Sequence, residues 1–124
     1  MNQELREEHF AKITSERARR VYEYLCGACE RRQGGMTDAD QMLVADVAIA
    51  EQIKEQLTDD IAARGIGKEM HNGRQKYWQD NKSLAHLRAY CEAQRKTLAE
   101  LRLTASARKA ADVEIDGDFD SFPD

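Results

Sequence analysis

Proline is almost missing from this chain: among 124 residues there is one, Pro123. Nothing in the first 122 residues forbids helix on that account, and Ala, Glu, Gln, Arg, Leu and Lys, all good helix formers, dominate. Large aromatics are sparse as well, three Phe, four Tyr and one Trp, so a lone copy has little bulky apolar surface to offset the entropy of ordering. Association with further copies is therefore expected. The three cysteines, Cys26, Cys29 and Cys91, are too few and odd in number for a secreted disulfide scaffold. No apolar run approaches the roughly 20 residues needed to span a bilayer. The opening MNQELREEHF also lacks the basic and apolar regions of a secretory signal. These absences predict an all-α, cytoplasmic chain with no membrane partner.

Charge is plentiful and segregated. The net charge is −4, yet residues 64–110 hold eleven bases against four acids, residues 36–63 one base against seven acids, and residues 111–124 six acids and no base. Residues 1–35 are close to balanced, seven bases against six acids. An acidic total does not exclude a nucleic-acid partner, because a phosphate backbone meets a local surface.

The apolar spacing of Phe10, Ile13, Val21, Tyr24 and Ala28, widened by Ala18, Leu25 and Cys29, predicts one N-terminal amphipathic helix ending near Gln33, at Gly34 and Gly35. Thr37 then reads as an N-cap with Asp40 at the third helical position, opening a second helix. From Met42 to Ala50 this helix is apolar almost all round, and it narrows to Ile53, Leu57 and Ile61, which predicts deep burial at one end only. Gly65 and Gly67 close it. The long loop that follows contains Asn72-Gly73 between Met70 and the Tyr77-Trp78 pair, so a short β-hairpin can form there. Asn81 caps a third helix whose Leu84, Leu87, Cys91, Gln94, Leu98 and Leu101 keep heptad spacing, enough to pack antiparallel on the second. Thr104 restarts a short C-terminal helix, and the acidic remainder is expected to be disordered until bound. Residues 1–110 form the helical domain and residues 111–124 the tail.

Few residues suggest chemistry. Cys26 and Cys29 have C-x-x-C spacing, but they sit near the end of a helix rather than at its start, and no second paired spacing completes a zinc site. They read as packing residues. Asp59 and Asp60 are adjacent on a helix and point apart, as on a solvated face. P-loop, zincin and nucleophile-elbow motifs do not occur, and neither an enzyme nor a cofactor is expected. The stretch KEMHNGRQKYW is more informative: Lys68, Arg74 and Lys76 alternate with His71, Tyr77 and Trp78, the combination that tracks phosphates and stacks bases. The competing reading anchors both aromatics in the core. Arg17, Arg19, Arg20, Arg31 and Arg32 are expected to pair with Glu16, Glu23 and Glu30 at helical spacing.

The segment NKSLAHLRAYCEAQRKTLAELRLTASARKA, Asn81 to Ala110, resembles the C-terminal part of phage terminase small subunits. There a long helix begins at Asn-Pro, ends in Leu-Gly-Leu and is followed by Thr-Pro and Ser-Ala-Arg. This chain keeps Asn81, Leu101, Leu103, Thr104, Ser106, Ala107 and Arg108, and departs at Lys82, Arg102 and Ala105. The resemblance implies a non-catalytic subunit that forms a homo-oligomeric ring, engages double-stranded viral DNA and regulates the ATPase and nuclease of the terminase large subunit in the cytoplasm of the infected host cell. On that reading Lys68, Arg74, Lys76 and Lys82 contact DNA, with Arg31 and Arg32 in reserve. Met42, Val44, Val47, Ile49, Ile53 and Leu57 serve oligomerisation, and Ile115, Asp118, Phe119 and Phe122 dock the tail on a partner. Two alternatives stay open: a dimeric helix-turn-helix regulator using Arg17, Arg19 and Arg20, and a helical adaptor with no nucleic-acid role.

Overall fold

A computed structural model describes residues 1–104. Its elements are α1 (Gln3–Lys12), α2 (Glu16–Arg31), α3 (Asp38–Arg64), β1 (Gly67–Asn72), β2 (Gln75–Asp80) and α4 (Ser83–Glu100). Helix dominates, but the expected all-α class needs correcting, because the long loop folds as a two-stranded antiparallel β-hairpin. The short C-terminal helix expected after Thr104 and the tail residues Ile115, Asp118, Phe119 and Phe122 lie outside the described residues.

The N-terminal region is two helices rather than one. The chain breaks at Ile13–Ser15, where Ser15 caps α2 by accepting from the Ala18 amide. The break is held from elsewhere in the chain. Gln52 of α3 accepts from the Thr14 and Ser15 amides at 2.8 and 2.7 Å, and the Arg19 guanidinium donates to the Ile13 and Phe10 carbonyls at 2.6 and 2.9 Å. Those are the free donors and acceptors that helix ends leave behind. The break also resets the helical phase. Tyr22, Cys26 and Cys29 are buried and Tyr24 is 70% exposed, so the expected stripe through Val21, Tyr24 and Ala28 is shifted by one residue.

Ile13, Ala18, Tyr22, Cys26 and Cys29 pack against Val44, Ala45 and Ala48 of α3 and against Leu101. The alanines let α2 approach α3 closely. α3 begins with the expected capping box, Thr37 and Asp40 each accepting from the other's amide, and ends at Gly65 with φ 79°. At about 1.5 Å per residue its 27 residues span about 40 Å. Its apolar N-terminal half is deeply buried and Ile53, Leu57 and Ile61 are half-buried, as the narrowing stripe predicts. The chain's own helices do the covering: Val44 and Val47 are enclosed, whereas Met42 is 55% exposed.

α4 returns antiparallel along α3. Near its start Ser83 donates to Asp60 at 2.6 Å. Midway the buried Gln94 donates to the Val47 carbonyl at 3.0 Å and accepts from Lys54 at 2.6 Å. At its end the Leu101 carbonyl accepts from Arg32, which also pairs with Asp40 at the start of α3. The polar seam position is therefore a contact, but Cys91, counted in the same stripe, is exposed.

A buried polar cluster fastens α1. Gln41 exchanges two 2.9 Å hydrogen bonds with the Asn2 backbone and donates to the Tyr22 hydroxyl at 2.9 Å. The Tyr22 hydroxyl also shares a 2.7 Å hydrogen bond with His9 Nδ1, to which it donates when Nδ1 is unprotonated. The surroundings of His9 favour that neutral form. Burial lowers its pKa, with Lys12 acting in the same direction and Glu8 and Asp46 opposing. A depressed histidine pKa makes the unfolded chain bind more protons, so this contribution is complete above the ordinary value of 6.5 and is lost as pH falls below it. The melting temperature should drop between pH 7.5 and pH 5.5 more steeply in the wild type than in His9→Gln. Equal slopes would contradict the neutral-histidine cluster.

Candidate nucleic-acid interface

The β-hairpin projects from the ends of α3 and α4, some 40 Å along α3 from the α2 end of the molecule. Gly73 (φ 64°) and Arg74 connect the strands, Asn72 pairing with Gln75. Gly thus occupies the first of the two connecting positions, as in II′ hairpin turns, one residue along from the Asn-Gly register expected of the sequence.

A polar joint ties the hairpin's base to the helices. Asp60 accepts from Arg64 at 2.6 and 2.8 Å, from Ser83 at 2.6 Å and from Asn81 at 3.2 Å. Asn81, buried, also donates to the Gly65 carbonyl and accepts from the Ser83 amide, each at 3.0 Å. The N-cap of α4 is Lys82, without a side-chain cap, so Asn81 stands one residue outside the position expected of it and serves the joint instead. The Arg64 hydrogen bonds, then that of Ser83, hold the Asp60 carboxyl well below the usual carboxylate range. Asp60 is consequently a joint residue, where adjacency to Asp59 had suggested a merely solvated face.

The strand register sorts the hairpin's side chains. Glu69, His71, Lys76 and Trp78 share one face; Lys68, Met70 and Tyr77 share the other. Each face carries a base and an aromatic, and Arg74 stands at the turn. Tyr77 is 49% exposed and Trp78 is 58% exposed, which decides against the reading that anchors them in the core. Trp78 lies along the ribbon, its Nε1 donating to Asp80 at 2.6 Å, with its ring over Gly67. A Cβ at Gly67 would fall 2.6 Å from that ring, so glycine is required there.

Lys68 and Lys82 converge. With Arg64, Gly67, Gln79, Asp80 and Asn81 they line an open cleft of about 440 Å³ at the hairpin's base. Arg64 was missed at the sequence level, although Asp60 four residues earlier was its visible signal. Lys76 lies on the opposite ribbon face from Lys68, so the three hairpin bases surround the ribbon instead of forming one patch. Arg31 and Arg32 sit at the far end of α3. Arg31 is exposed, but Arg32 is committed to Leu101, Gly35 and Asp40, which removes it from the set available to DNA. The arginines of α2 also pair differently from expectation: Arg17 with Glu51 of α3, while Glu23 takes Arg6 of α1 and Glu30 the N-terminal amine. Arg19 is occupied at the α1 carbonyls, which weakens the helix-turn-helix alternative.

Cys26 and Cys29 belong to the α2–α3 core, and burial pushes the Cys26 thiol up to about 12. Such a thiol is a packing group. Among the described residues no group of three or more His, Cys, Asp and Glu side chains is placed to hold a metal, and no helix is long and apolar enough to cross a membrane.

No curated protein and no solved structure matched the chain. A family model described as phage terminase, small subunit, matches residues 18–118, covering α2 from Ala18 onward, α3, the hairpin and α4. This match extends well beyond the C-terminal motif that carries the resemblance in the sequence. The chain belongs to the phage terminase small-subunit family.

Proposed function

We propose that this protein is the non-catalytic small subunit of a viral terminase, engaging double-stranded genomic DNA through its β-hairpin and regulating the large subunit's ATPase and nuclease during packaging in the host cytoplasm. The observation that carries the DNA assignment is the exposed ribbon bearing Lys68, Arg74, Lys76, Tyr77 and Trp78, rooted beside Lys82 by the Asp60–Asn81 joint. A two-stranded ribbon is one of the elements that fits a major groove. Bases on both its faces and at its turn can meet both phosphate walls. Arg31, at the opposite end, is a secondary contact.

Self-association into a ring multiplies such contacts, so that weak phosphate binding per copy becomes avid. The surface we assign to it centres on Met42, Ile49, Ile53 and Leu57, which retain exposure, while Val44 and Val47 support it from within. The tail docks on the large subunit through Ile115, Asp118, Phe119 and Phe122.

The test is Arg74→Glu/Lys76→Glu. Because each phosphate contact contributes about 0.9 to the salt slope, this variant should retain duplex DNA less well and with weaker salt sensitivity, at an unchanged native mass. Unchanged retention would refute the hairpin assignment.

A further inference from the structure

The outward side of α2 carries an arginine ridge that neither the core nor the hairpin uses. Arg17, Arg20, Tyr24 and Arg31 fall within one exposed arc of the helix. Among the described residues Arg20 and Arg31 have no ion pair, and Arg17, though paired with Glu51, keeps a side chain 60% exposed. Glu16, Glu23 and Glu30 lie on one flank of the ridge, the latter two already paired. Val21, Leu25 and Ala28, all partly exposed, lie on the other. Arg17, Arg20, Val21, Tyr24 and Leu25 line a shallow groove of about 390 Å³. The surface is thus two parallel stripes, one basic and one apolar.

The chain leaves the described fold beside this surface. Leu101 is buried in the α2–α3 core, its carbonyl on Arg32, and Leu103 packs on the same cluster as Leu25. The described chain therefore ends close to the C-terminal end of α2, three residues beyond the Leu101 carbonyl that Arg32 holds. Twenty residues follow, a reach of up to about 66 Å when extended, against about 21 Å along the helix from Arg31 to Arg17. Residues 105–111 suffice as a linker. Beyond them Asp112, Glu114, Asp116, Asp118 and Asp120 alternate with Val113, Ile115 and Phe119. An extended segment with this alternation puts acids along one side and apolar groups along the other, the same two-stripe pattern as the α2 surface.

We propose that the outer face of α2 is the docking surface for the chain's own acidic segment, residues 112–124, running back along the helix with its acids on the arginine ridge and its apolar side chains on Val21, Leu25 and Ala28. The inference goes beyond the DNA reading and does not depend on it. Docked in this way, the tail masks the arginine ridge and withholds Ile115 and Phe119 until a competing partner takes them.

The test uses the full chain with Tyr24→p-benzoyl-phenylalanine, an aromatic replacing an exposed aromatic, assembled from equal parts of ¹⁵N-labelled and unlabelled protein and irradiated at low salt. Cross-links should map to residues 112–124 and lie within single chains, so that both linked peptides always carry the same isotope. Arg20→Glu/Arg31→Glu in the same background should cut their yield at least about fivefold, the scale of two exposed charge pairs reversed, and Asp116→Arg/Asp118→Arg added to it should restore them. Cross-links elsewhere in the chain, or yields indifferent to these charges, would overturn the proposal. Mixed-isotope products would assign the surface to another copy's tail, and cross-links transferred to an added 30-base-pair duplex in place of the tail would assign it to DNA; either outcome contradicts docking by the chain's own segment.

Discussion

Tyr22→Ala is expected to lower the stability of the folded chain by about 3–5 kcal/mol, the usual cost of deleting a buried aromatic ring. Tyr22 is fully buried, meets His9 and Phe10 edge-on at 5.4 and 5.5 Å, and joins α1, α2 and α3 through its hydroxyl. Tyr22→Phe separates the two roles. It keeps the ring but leaves the His9 and Gln41 nitrogens short of a partner, for about 1–3 kcal/mol. Denaturant midpoints at one fixed protein concentration measure both, since self-association would otherwise shift them. A Tyr22→Ala midpoint close to that of the wild type would show that α1 and α2 are not held as described.

Asp60→Ala is expected to weaken duplex binding even though it removes a negative charge near the basic cleft. Electrostatics alone gives the opposite sign, because each copy becomes more positive by one unit. Loss of the joint outweighs that gain: a two-stranded hairpin with exposed faces is marginal in water, and this one depends on Asp60 to gather Arg64, Asn81 and Ser83 at its base. Without the carboxylate, amides from Met70 to Tyr77 should lose their exchange protection while those of α2 keep theirs. Tighter DNA binding with unchanged hairpin exchange would show that the joint does not support the ribbon.

Features set by neighbouring residues were the ones legible in the sequence. The Thr37–Asp40 capping box, the Gly65 stop and the one-sided burial of α3 all follow from spacing over a few residues. The hairpin was visible as a turn dipeptide, yet its strands carry no apolar alternation to mark them, because neither face is buried. The break at Ile13–Ser15 was not legible. It depends on Gln52, 37 residues beyond Ser15 in the chain, and on Arg19 reaching backward, and missing it misassigned the phase that separates Tyr22 from Tyr24. Arg32 was expected to pair with a glutamate of its own helix, and its actual partners escaped for a similar reason, since they include a carbonyl 69 residues away. Of the site, the hairpin bases and their aromatics could be read from composition. Their distribution over two ribbon faces, and the recruitment of Arg64 and Asp60, required the strand register and the return of α4.

The most direct test of the account is the affinity of the wild-type protein for a duplex fragment measured across about 50–200 mM salt. Lys68, Arg74 and Lys76 of the hairpin together with Lys82 at its base, all on phosphates, predict a log–log slope of about −3 to −4 for one engaged copy, and a steeper one as more copies bind. Saturable binding with such a slope, reduced in Arg74→Glu/Lys76→Glu, is the result expected. No saturable binding, or an affinity indifferent to salt, would contradict the assignment of the hairpin to DNA.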